Sequence, residues 1–144
     1  MMLSSKGLNL TDKVALVTGS TKGIGYSIAE KLGESGAHIL LNGRDQQVTD
    51  SVVNVLTDKG VSCEALAFDV SDSASVKAAF NIIFKKFKRL DILVNNAGIM
   101  EDALIGMVTG KQIDDTFSTN VFGTLYCSQY GARLMARSGG SIIN

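Results

Sequence analysis

The 144-residue chain has no proline, one histidine, two cysteines and no net charge, its fourteen basic residues balancing fourteen acidic ones. Without proline nothing marks an internal linker, and no repeats, low-complexity tracts or charge blocks divide the chain. A lone histidine, His38, leaves no cluster to hold a metal and is read as a structural residue opening a strand. Cys63, on a predicted strand, and Cys127, on a predicted helix, lack Cys-x-x-Cys spacing. They imply free buried thiols and neither a disulfide framework nor a zinc site. Balanced charge provides no field to attract nucleic acid or an anionic membrane surface. No window approaches the ~20 apolar residues of a membrane span, and Met1 to Asp12 hold no apolar signal core. A cytoplasmic location is expected.

What the chain does have is an ordinary globular composition, 45% hydrophobic and 19% charged, over a length suited to one domain, expected to span 1–144 with 1–12 as an N-terminal arm. Apolar runs alternate with helical patterns: strand 13–18, helix 24–35, strand 38–43, helix 46–59, strand 61–68, helix 73–88, strand 91–95, helix 111–137 and a strand from 141. Such a βαβα series predicts an α/β fold, a doubly wound parallel sheet covered on both faces. Gly36 and Gly60 fall where helices should stop, and Asp72 or Ser71 is placed to cap the third helix.

The richest segment is Thr18-Gly19-Ser20-Thr21-Lys22-Gly23-Ile24-Gly25, which joins the apolar run Val14-Ala15-Leu16-Val17 to the first helical pattern. A turn this tight needs a residue without Cβ where φ is positive, and the next glycines let backbone and helix approach a pyrophosphate. The helix would point free N–H groups and its positive dipole end at the phosphates. Gly43-Arg44 follows the second strand, Asp69-Val70 the third and Asn96-Ala97-Gly98 the fourth. In a doubly wound sheet the carboxyl ends of parallel strands share one rim, so these segments should converge there.

The Gly-x3-Gly-x-Gly spacing together with Asn95-Asn96-Ala97-Gly98 resembles the short-chain dehydrogenase/reductase family from about Lys13 to Asn144, most closely its 3-oxoacyl-acyl-carrier-protein reductases. The resemblance implies a Rossmann fold. It makes Gly19, Ser20, Thr21, Lys22, Gly23, Ile24 and Gly25 the phosphate-facing turn. Asp69 would bond the adenine amino group with Val70 beside the ring, and Asn96, Ala97 and Gly98 would line the adenosine ribose and the approach to the nicotinamide. Asn95 is read instead as a sheet-fixing residue, bridging strand backbones beside the glycine turn.

An NAD site normally carries an acid about 20 residues past the glycines. Gly43 and Asp45 lie 18 and 20 residues past Gly25. The family's acidic position aligns with Gly43, so no carboxylate would repel a 2′-phosphate. Arg44 and Lys22 resemble the two cations by which NADP-using members hold that group. NADPH is therefore expected over NAD. The alternative makes Arg44 and Asp45 a solvated turn pair, with Asp45 on the ribose of NAD.

In this family a tyrosine of a Tyr-x-x-x-Lys helix protonates the alkoxide as hydride arrives, a serine polarises the carbonyl, and an asparagine holds the preceding helix open. Asn120 in Thr119-Asn120-Val121 matches the asparagine and is the one catalytic position present. Ser141 precedes its strand, at the end away from the ligand, and neither Tyr126 nor Tyr130 is followed by lysine at the required spacing; both are read as packing residues. The chain is thus expected to be the N-terminal part of a ketone or 3-oxoacyl-thioester reductase, cut after the fifth strand and inactive alone. A bare β5 edge and an apolar helix face at Phe117, Val121, Leu125 and Leu134 should result, the latter serving a homo-oligomer through helix 111–137. A non-catalytic dinucleotide-binding module is the competing reading. A Rossmann-like methyltransferase has no role for Arg44 or Asn-Asn-Ala-Gly.

Overall fold

Parallel pairing is dictated by the alternation of strand and helix, and the computed structural model, which describes residues 7–144, follows it. Five strands, β1 (Val14–Val17), β2 (His38–Leu41), β3 (Cys63–Ala65), β4 (Ile92–Val94) and β5 (Ser141–Ile143), form one sheet in the order β3-β2-β1-β4-β5. Every pairing is parallel, with Val17 opposite Leu41 on one side and Val94 on the other. Of the expected N-terminal arm, residues 1–6 lie outside the described residues.

The strands read as continuous apolar runs because both faces are covered. Val14 and Leu16 point into a core shared with α3 (Ser73–Phe87) and the helix before β5, through Phe80, Ile83 and Cys127. Ala15 and Val17 point the other way, toward Ala29 of α1 (Gly23–Glu34) and Leu56 of α2 (Gln46–Asp58). Local signals end the helices. Gly36 and Gly60 follow α1 and α2 at φ +101° and +85°, the left-handed region that glycine enters without strain. Asp72 caps α3 by accepting from Ala74 N, while Ser71 is bound by Asp69. Unlike the first two, α3 stops on Lys88 at φ +62°, with no glycine.

Two elements differ from expectation. The strand expected over 61–68 is regular only at Cys63–Ala65, though the chain keeps bonding to its neighbour through Leu66 N to Leu41 O and Phe68 N to Gly43 O. The helix expected over 111–137 is three pieces: α4 (Gly110–Phe117), a π-helical stretch Ser118–Gly123, and α5 (Thr124–Met135). A capping box starts α4, Thr109 and Gln112 satisfying each other's backbone N–H. The bare face on these helices consists of Ile113, Phe117, Val121, Phe122 and Leu125. Leu134 is not part of it: it shares a helix face with Cys127 and Tyr130 and packs half-buried on the core. Tyr130 lies against Phe80, centroids 5.9 Å apart. Among the described residues no helix is long and apolar enough to cross a membrane.

Candidate dinucleotide site

Sheet order reverses at β1, whose neighbours β2 and β4 are reached by crossovers leading to opposite sides, and a crevice opens there beyond the strands' carboxyl ends. A cavity of ≈ 470 Å³ occupies that crevice. Twelve of the fourteen expected cofactor residues line it: Gly19, Thr21, Lys22, Gly23, Ile24, Gly43, Arg44, Asp69, Val70, Asn96, Ala97 and Gly98. The other two, Ser20 and Gly25, are buried beneath the turn.

The turn needs its glycines. Gly19 sits at φ +62°, and a Cβ there would come 2.8 Å from Ala97 Cα. Gly25 is closed in by the Gly19 carbonyl and the Asn96 amide, with no room for a methyl. Gly23 is the opposite case, at φ +58° with nothing near its missing Cβ. It faces open cavity. Lys22, the N-cap residue of α1, offers no side-chain acceptor to the helix's first turn. The free N–H groups and positive end of α1 therefore face the cavity beside Gly23 and Ile24, as an anion requires.

A polar frame supports the turn, and two of its members, Asn42 and Asn96, are themselves part of the lining. Thr18 Oγ1 accepts from Asn96 N and Ala97 N, both 3.0 Å, and Asn96 Nδ2 donates to the Thr18 and Gly19 carbonyls, both 3.0 Å. Asn42 joins Gly19 to the segment after β3. Sequence reasoning assigned neither Thr18 nor Asn42. The available signal was a polar residue closing each of two buried apolar strands, where an unpaired polar group would be costly. Asn95 corrects an expectation: its amide reaches Ser128 Oγ at 3.0 Å and Asn144 Oδ1 at 2.7 Å, away from the turn. Successive residues of an extended strand point to opposite sides, so it is Asn96 that secures the glycine turn.

Charge is divided along the cavity. Lys22 and Arg44 are exposed, and among the described residues neither forms an ion pair. Asp45 caps α2, accepting from Val48 N at 3.0 Å, so it is committed to the helix and pairs with no arginine. Where an acid at 43 would begin, a Cβ would stand 2.6 Å from Thr21 Cγ2 and 2.9 Å from Thr49 Oγ1. Asp69 Oδ1 accepts from Ser71 N and Ser71 Oγ, leaving Oδ2 without a donor among the described residues. Asn120, in the π-helical stretch, clamps Ile99 by accepting from its N–H and donating to its carbonyl, 2.8 Å each. Its backbone carbonyl accepts from Thr124 Oγ1. Among the described residues no group of histidine, cysteine and carboxylate side chains is placed to hold a metal.

Fold, switch-point crevice and glycine turn together define a nucleotide-binding protein of the doubly wound class. Residues 13–144 match the short chain dehydrogenase family, and the chain belongs to it. Its relatives include the 3-oxoacyl-[acyl-carrier-protein] reductase of Staphylococcus aureus, 39% identical over 92% of this chain and 54% of that protein. A gluconate 5-dehydrogenase from Burkholderia cenocepacia, solved with NADP and tartrate, superposes with a TM-score of 0.89 at 35% identity, over 95% of this chain and 54% of that one. A metagenomic short-chain oxidoreductase solved with NADP gives 0.88 at 32% identity, over 94% and 62%. The chain thus spans about half the length of the curated relatives it matches.

Proposed function

We propose that these residues form the NADPH-binding part of an oxidoreductase that reduces a ketone, with a 3-oxoacyl thioester as the particular substrate. One observation carries the cofactor assignment: two unpaired cations, Lys22 and Arg44, border the same cavity as the glycine turn, and position 43 bears no carboxylate. The site fits the cofactor's chemistry. The open face at Gly23 and the uncapped start of α1 suit a pyrophosphate, the two cations on the cavity border suit a 2′-phosphate, and Asp69 Oδ2 is available to an adenine amino group. NADP in two structural neighbours supports the same reading. When bound, NADPH supplies a hydride to the carbonyl carbon.

The chain's own residues bind and orient. Gly19 to Gly25 take the phosphates, Lys22 and Arg44 the 2′-phosphate, Asp69 and Val70 the adenine, and Asn96 to Gly98 the ribose and the path toward the nicotinamide. Asn120 holds Ile99 at that end. Within 1–144 it is the one residue of the family's Ser, Tyr, Lys and Asn set, so these residues alone should bind cofactor without turnover. The thioester assignment rests on likeness to the acyl-carrier-protein reductase. Pairing of two copies is proposed through the Phe117, Val121 and Leu125 face, and a cytoplasmic location is kept as part of the proposal.

Titrating the purified chain with NADPH and NADH tests the reading. A charge-assisted hydrogen bond contributes about 1.5–3 kcal/mol, so Arg44→Ala should weaken NADPH about 10- to 100-fold and NADH less than about twofold. Equal losses for the two would refute the role given to Arg44.

A further inference from the structure

We infer that Asn42 is a positioning residue that couples the phosphate-facing glycine turn to the adenosine end of the cavity, setting the two halves of a dinucleotide site in register. This rests on the dinucleotide reading above. Asn42 closes β2 and is only 2% exposed, yet all its polar groups are engaged. Toward the turn, Oδ1 accepts from Gly19 N at 3.1 Å, its N–H donates to Ser20 Oγ at 2.9 Å, and its carbonyl accepts from Ser20 N at 2.8 Å. Toward the adenosine end, Nδ2 donates to Leu66 O at 3.2 Å and Phe68 O at 3.1 Å, the residues leading into Asp69. Among the described residues no hydrogen bond runs directly between 18–25 and 66–70; Leu66 N and Phe68 N bond to the β2 segment at Leu41 O and Gly43 O, and Asn42 has the one side chain that bonds to both segments.

Asparagine suits this place because one planar group offers an acceptor to an amide on one side and two donors to carbonyls on the other. Aspartate would keep the acceptor and lose both donors, setting a carboxylate against two carbonyl oxygens. Serine could not span the gap. A ligand that touches only the adenosine end needs only that end to be formed. A dinucleotide must meet both ends at once, and it gains from their fixed spacing as any two-point ligand does.

The experiment compares NADPH with adenosine, a probe that carries no phosphate and so does not engage Lys22 of the turn, on the purified chain. Asn42→Ala should weaken NADPH at least about tenfold while weakening adenosine less than about twofold. Asn42→Asp should behave like the alanine variant. If adenosine loses the same factor as NADPH, or NADPH is unaffected, or the aspartate variant binds like the parent, the coupling is overturned. A parent chain that fails to bind NADPH would overturn the dinucleotide reading instead. Should the variants not fold, hydrogen exchange of the parent decides: saturating adenosine should slow exchange at the Gly19 amide at least about fivefold through Asn42, and an unchanged rate there overturns the proposal.

Discussion

Replacing Gly25 by alanine sets helix propensity against packing. On propensity alone the change should help, since glycine inside a helix costs about 0.8–1 kcal/mol relative to alanine. The structure argues the reverse. The added methyl would overlap both the Gly19 carbonyl oxygen and the Asn96 amide nitrogen, so either α1 lifts from the sheet or the turn gives way. The turn is held by Asn96 Nδ2 to Gly19 O at 3.0 Å and by Gly19 N to Asn42 Oδ1 at 3.1 Å. Losing those two bonds costs about 1 kcal/mol each, and overpacking a filled site adds about 1–3 kcal/mol. Against the propensity gain, a net loss of about 2–4 kcal/mol follows. With a urea slope of about 2 kcal/mol/M for a small protein, the midpoint should fall by about 1–2 M when followed by circular dichroism. Gly110 is the control: it opens α4 with nothing near its missing Cβ, so Gly110→Ala should gain about 0.4–1 kcal/mol. If Gly25→Ala is as stable as the parent, the packing account of the glycine turn is wrong.

Lys59 of the α2 cap ties that helix to α1 by donating to Glu30 Oε1 at 2.6 Å and Tyr26 OH at 3.0 Å. The bond from Lys59 holds the Glu30 carboxyl below its ordinary range, and the same bond raises the Lys59 ammonium above its own. The Glu30 contribution is therefore present above the unfolded carboxylate value and is lost as pH falls through the lower folded one. The Lys59 contribution is present below the ordinary ammonium value and is lost as pH rises through the higher folded one. Lys59→Met should flatten both limbs of a urea-midpoint profile against pH, and an unaltered profile would count against the pair. Burial pushes the Cys127 thiol up to about 12, whereas half-buried Cys63 is raised chiefly by desolvation. Timed labelling with an aromatic disulfide near pH 8 should modify Cys63 first and Cys127 only on unfolding; simultaneous labelling would contradict the buried placement. Leu125 is 60% exposed on the bare helix face, so Leu125→Asp should leave the fold intact and reduce the mass seen by sedimentation, and an identical mass for both would remove this face from the assembly.

Most of the fold was legible because its determinants are local. Val14 to Val17 leading into Gly19 announces strand and turn, Gly36 and Gly60 end two helices, and Asp72 caps a third, each within a few residues of its effect. The rim was legible too, since parallel strands place every β-to-α loop on one side. What escaped were bonds that cross the sheet. Nothing near Asn42 reveals that its amide will reach Leu66 and Phe68, and nothing near Thr18 reveals Asn96. Asn96 and not Asn95 lines the cavity, as expected, but which of the two would secure the glycine turn was not legible, because the direction of each depends on the pleat, which the residue types do not encode. The π-helical stretch interrupts an otherwise continuous periodicity that gives no sign of it. Gly123, inside that stretch, would place a Cβ 2.9 Å from Val70 Cγ2, so the interruption sits where the helix approaches the adenosine end.

The site separates into a rigid neutral frame and a charged front, and the two should differ in how they tolerate change. Thr18, Asn42 and Asn96 are buried or half-buried and bonded on several sides, so altering any of them strands backbone groups that water cannot reach. Lys22 and Arg44 stand exposed and form no side-chain ion pair among the described residues, so removing either subtracts charge without unmaking structure. Under the proposed cofactor assignment, preference therefore resides in side chains that can be exchanged freely, with one exception. An acidic residue at 43, the change that would favour NAD by repelling a 2′-phosphate, meets Thr21 and Thr49 before it meets any ligand. Thr21 belongs to the glycine turn. A switch of preference made at 43 thus has to be accommodated in the phosphate site as well, which links the two determinants of cofactor binding through one methyl group.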